Sequence, residues 1–90
     1  MPEPNPQNVP DALAEELYRR AARLEELRAD PTSSPSVRDH LLGELIGLRG
    51  ALGITLGHRI PGGSADIAGV DYYLKWLARE HPEAAASLTA

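Results

Sequence analysis

Three histidines, His40, His58 and His81, are the side chains of this 90-residue chain suited to proton exchange near neutral pH. Glu44 follows His40 by four residues, a spacing that puts both on one helical face and can offer two ligands to a metal. Two ligands make an incomplete site, the HExxH pattern is missing, and the chain has no cysteine to complete a set. A surface His–Glu pair is therefore expected there, with no metal and no cofactor. His81 falls at the C-terminal end of a predicted helix, where positive charge is favourable, and is expected to be structural.

The best grouping for a small ligand is the run His58-Arg59-Ile60-Pro61-Gly62-Gly63-Ser64. Gly63 and Ser64 would open a helix whose first amides can receive a phosphate or carboxylate, and His58 and Arg59 would add charge-assisted contacts. The same four residues Pro-Gly-Gly-Ser are also ordinary turn chemistry. No GxSxG, phosphate-binding or dinucleotide-binding glycine pattern is present, so no catalytic residue is assigned.

The aromatic residues concentrate late in the chain. Tyr72 and Trp76 are four apart, and Arg79 follows three later. Tyr, Trp and Arg are the residue types that dominate protein-binding hot spots, and Arg79 could stack on the indole. These three are the expected partner-binding residues. The competing expectation is that the rings enlarge a small core. Arg19, Arg20 and Arg23 form the one basic cluster, but Glu15, Glu16, Glu25 and Glu26 surround it, which reads as a solvated mixed-charge face.

These residues must be positioned by helices. A first helix is expected from Pro10, a residue suited to a first turn, to Asp30-Pro31, where the residue before proline resists helical dihedrals. Its apolar stripe is Leu13, Leu17, Ala21, Leu24 and Leu27. Thr32-Ser33-Ser34-Pro35 is a connector, and a second helix starts at Pro35 or Ser36. Its stripe, Val37, Leu41, Leu45, Leu48 and Leu52, is widened by Leu42 and Ile46, enough to face two neighbours. A third helix follows Ser64 and runs to His81, with Ile67, Val70, Leu74 and Leu77 as its stripe.

Glycine recurs along the second helix at 43, 47, 50, 53 and 57. Each costs a helix about 1 kcal/mol relative to alanine. Gly43 and Gly47, with Leu45 and Leu48, are therefore expected to serve close helix packing or oligomer contact, because a missing Cβ lets another backbone approach. Gly53 and Gly57 are expected in a turn.

The expectation is an all-α chain: a small three-helix domain (a helical hairpin plus a third helix) over 10–81, a Pro-rich N-terminal arm over 1–9, and a short C-terminal turn or tail over 82–90. Leu and Ala dominate the apolar residues, Phe is absent, and 24% of residues are charged. The net charge of −4 makes nucleic acid an unexpected partner. No apolar run is long enough to span a membrane, and Met1 to Pro6 lacks a secretory pattern, so a cytoplasmic location is expected. The reading these features favour is a small non-catalytic protein-binding accessory: an adaptor, inhibitor or regulatory protein, of phage or other viral type among the options. It would act on a protein partner or as a homodimer. The alternatives are a DNA-binding regulator reading with its third helix, for which Lys75 and Arg79 are nearly the only bases, and a small-anion-binding module or enzyme using loop 58–64.

Overall fold

The structure is a computed structural model that describes residues 9–57 and 65–89. Four helices follow one another: α1 (Val9–Ala29), α2 (Pro35–Gly57), α3 (Ala65–Glu80) and α4 (Pro82–Thr89). Among the described residues there is no strand, and the all-α class stands. The N-terminal arm and loop 58–64 lie outside the described residues.

The boundary between α1 and α2 is set by short polar side chains. Asp30 Oδ1 accepts the Thr32 amide at 2.9 Å and the Thr32 hydroxyl at 2.7 Å, turning the chain just beyond Ala29. Ser33 Oγ donates at 2.6 Å to the Leu27 carbonyl, which also accepts the Asp30 amide at 3.2 Å. The Ser34 carbonyl accepts the Arg38 amide at 3.2 Å, so α2 starts at Pro35 with proline in its first turn.

The two helices run antiparallel. Going down α1 and up α2, Arg28 shares a hollow with Arg38, Leu24 with Leu42, and Arg20 Nε donates to Glu44 at 2.8 Å. The Arg20 guanidinium pulls the Glu44 carboxyl below its ordinary value of 4.5, chiefly through that hydrogen bond. Arg20 also pairs with Glu16, so it ties two acids on two helices.

α2 packs on both α1 and α3, as its wide apolar face requires. The α2–α3 contact is the tightest place in the described chain. A Cβ built on Gly69 would stand 2.7 Å from the Gly53 nitrogen, 2.9 Å from the Gly53 Cα and 3.0 Å from the Arg49 carbonyl oxygen. Only a glycine fits there. Contrary to the sequence expectation, Gly53 is not a turn residue: α2 stays helical through Gly57, because the α3 backbone covers Gly53.

The expected close packing at Gly43 and Gly47 is not made among the described residues. A Cβ on Gly43, Gly47 or Gly50 would meet nothing within 4 Å. The tight crossing falls about two to three turns later along α2, at Gly53. Leu45 lines a groove between α1 and α2 instead, and Leu48 is half-buried.

The core is short. Ala14, Leu52, Leu56, Trp76 and Leu77 form its centre, and Tyr18, Tyr72, Tyr73, Ala84 and Ala85 pack around it. The segment after His81, expected as a loose tail or as a short helix with proline in its first turn, is helix α4, and its Ala84 and Ala85 close one end of that core. Each fully buried large apolar side chain contributes about 1.5–3 kcal/mol, so so few of them leave a fold that one cavity can undo.

Two outcomes follow for substitutions on these helices. Gly69→Ala drives a Cβ into backbone and is expected to lower stability by about 1–3 kcal/mol in urea unfolding. Gly47→Ala meets open space and is expected to raise it by about 1 kcal/mol. Equal effects would contradict the crossing geometry. The Glu44 carboxyl, lowered in the fold, stabilises above its ordinary value and loses that contribution as pH falls through the lowered one. The melting temperature of Glu44→Gln should lie below wild type at pH 7 and converge with it as the pH falls through the lowered value; a constant gap would contradict the pairing.

Candidate functional site

Trp76, expected at a partner surface, is 5% exposed and belongs to the core. Its indole lies 6.1 Å from the Tyr18 ring, 6.1 Å from Tyr73 and 5.3 Å from His81. His81 stacks on Tyr18 at 4.0 Å with the planes 13° apart. α1, α3 and the α3–α4 junction thus meet in one aromatic cluster. The helical spacing of Tyr72 and Trp76 does not distinguish a buried face from a bound one, and the small core claims the largest side chain.

Tyr72 and Arg79 reach the same acid on α1. The Tyr72 hydroxyl donates to Asp11 Oδ1. Arg79 approaches both Asp11 oxygens at 3.3 Å, and its Nε donates to Glu80 at 2.9 Å. Arg79 therefore turns to two carboxylates rather than to the indole. Burial, then the Asp11 carboxylate, raises the Tyr72 phenol above its ordinary value. The three residues expected to bind a partner instead join α3 to α1. Asp11 was legible only as a first-turn acid favourable to the α1 dipole, because its second partner is more than sixty residues away.

The apolar surface lies elsewhere. Ile46 and Ile54 of α2 are 60% and 59% exposed, and Ile67 of α3 is 70% exposed with Leu74 also in solvent. At 100° per residue, Gly43, Ile46, Gly47, Gly50 and Ile54 share one side of α2, opposite Leu52, which the core buries completely. On α3, Ile67, Val70 and Leu74 line a shallow depression with Asp71. Both packed helices thus present isoleucines to water.

The charged groups are mostly spoken for within the chain. Arg19 pairs with Glu15 and Glu16, Arg23 with Glu26, and Lys75 with Asp71 at 3.0 Å. The two bases of α3 that a DNA reader would use, Lys75 and Arg79, thus face acids of the same chain. His40 Nε2 sits 3.0 Å from Glu44 on an open surface, the expected pair. Among the described residues no three of His, Cys, Asp and Glu converge as a metal site, and no helix is long and apolar enough to cross a membrane. The anion-binding group His58, Arg59, Gly63 and Ser64 lies outside the described residues. Comparison with protein-family models, curated proteins and solved structures found no match.

Two residues of consequence escaped the sequence reading. Gly69 stood between apolar neighbours in the third helix, and its cost to that helix was the available signal. Arg38 looked like one more surface base, and nothing in its spacing marked it. Trp76→Ala is expected to cost about 3–5 kcal/mol and to melt much of the helical circular dichroism at 37 °C. A variant with wild-type stability would return Trp76 to the surface.

Proposed function

We propose that this chain is a small, non-catalytic protein-binding accessory whose binding surface is the outer side of α2, with the apolar side chains of α3 beside it. The observation that carries the reading is the exposure of Ile46 and Ile54 around Gly43, Gly47 and Gly50, glycines that nothing among the described residues approaches. Three glycines cost α2 about 3 kcal/mol in helix propensity, and intrachain packing returns none of it. A second backbone laid along the stripe would use the missing Cβ atoms, as the missing Cβ of Gly69 lets α3 approach the α2 backbone at Gly53. The occupant that fits is an apolar helix of a partner protein, its side chains falling between the two isoleucines.

A second reading uses the same surface for a homodimer. None of Gly43, Ile46, Gly47, Gly50 and Ile54 carries a charge, so a second copy of the face meets no like-charge repulsion.

The test compares wild type with Ile46→Asp and with Gly47→Ala. Both positions are exposed, so the fold is retained. Affinity capture from the source cells with nuclease added, read by mass spectrometry, is run beside light scattering of the purified chain. The proposal expects a stoichiometric partner that Ile46→Asp loses and Gly47→Ala weakens, although Gly47→Ala stabilises the free chain. A dimer in light scattering that both variants dissociate supports the second reading. A wild type that is monomeric and captures nothing that Ile46→Asp loses would overturn both.

A further inference from the structure

On the other side of α2, two hollows lie side by side and share part of their walls. The larger, about 600 Å³, lies among all four helices, with Leu24, Leu45, Tyr73, Leu77 and Leu88 on its walls. The smaller, about 290 Å³, lies where α1 gives way to α2 and is lined by Arg28, Arg38 and Asp39 among others. Leu24, Arg28 and Leu42 belong to both. An apolar groove therefore ends at two arginines from different helices.

The arginines differ. Arg28 pairs with Glu25 at 3.2 Å and its side chain is more than half exposed. Arg38 takes part in none of the ion pairs among the described residues, and its Nε is buried with no hydrogen-bond partner. Asp39 lines the same hollow without pairing with it. Arg38 lines the hollow as a cation paired with none of the described acids, so an anion that enters meets its charge without displacing a partner.

We propose that the joined groove binds a small amphipathic carboxylate, its acyl chain along Leu45, Leu77 and Leu88 and its carboxylate on Arg38. The charge of Arg38 selects an anion over a neutral or cationic head. The apolar length of the groove selects a chain over bare phosphate. A mostly apolar hollow of a few hundred Å³ with its polar groups gathered at one end has the form of a small-molecule site. Burial, then the neighbouring Tyr18, raises the Tyr73 phenol, so the groove wall stays neutral where the chain would lie.

The test is calorimetric titration of the full chain with dodecanoate below its micelle-forming concentration, with dodecan-1-ol and dodecyltrimethylammonium as controls. Dodecanoate should bind at least about tenfold tighter than the alcohol, the scale of one charge-assisted hydrogen bond. Arg38→Gln should abolish that difference and leave the alcohol unchanged. Ala22→Trp, a wall position exposed to solvent, should weaken dodecanoate and dodecan-1-ol alike. Amide chemical-shift changes on wild type give an independent readout, expected around Leu24, Arg38 and Leu42. Equal affinity for carboxylate and alcohol, binding indifferent to Arg38→Gln, or shifts confined to Ile46–Ile54 would each overturn the proposal.

Discussion

The contact between Gly53 and Gly69 is the constraint on which the rest of the chain depends. It brings the backbones of α2 and α3 closer than any side chain would allow. That approach sets the depth at which Trp76 and Leu77 enter the core, about two turns further along α3. It also sets where α3 can meet α1. Asp11 receives Tyr72 and Arg79, and Tyr18 receives His81, only because α3 lies this close to the hairpin. An ordinary helix pair, held 8–10 Å apart by its side chains, would leave those groups out of reach.

The same residue type thus has two meanings along one helix. Gly53 is consumed by an intrachain crossing. Gly43, Gly47 and Gly50 are left facing open space. The helix-propensity cost is the same at each, so the difference lies wholly in what comes near them. This contrast makes the outer side of α2 the surface proposed for a partner. The groove on the other side is a separate matter, resting on the unpaired Arg38. One side of α2 presents its glycines and two isoleucines; the other ends in a cation that no described acid pairs.

Much of the architecture was legible in the sequence. The spacing of Leu13, Leu17, Leu24 and Leu27 marked α1, and Asp30-Pro31 marked its end within one or two residues. Pro35 marked the start of α2, and the breadth of its apolar stripe foretold two neighbours. These signals are local, and short-range rules read them. The function-bearing side of the chain was less legible, because burial is a long-range outcome. Tyr72, Trp76 and Arg79 have the composition of a binding hot spot and the position of an interhelical clamp, and sequence spacing is identical for both. Which glycine of the α2 series would be covered depended on the crossing point with α3, which no periodicity specifies. Arg38 became notable only once its neighbours failed to supply an acceptor.

The most direct measurement of this account is a nuclear Overhauser spectrum of the purified chain, read at the Gly53–Gly69 crossing. The geometry places a Gly69 α-proton against the Gly53 amide, so an intense cross-peak between them is predicted, with weaker ones to the α-protons of Gly53. A folded, helical chain in which Gly69 shows no cross-peak to Gly53 would contradict the account, since α3 would then cross α2 elsewhere and the distinction between its covered and open glycines would fall.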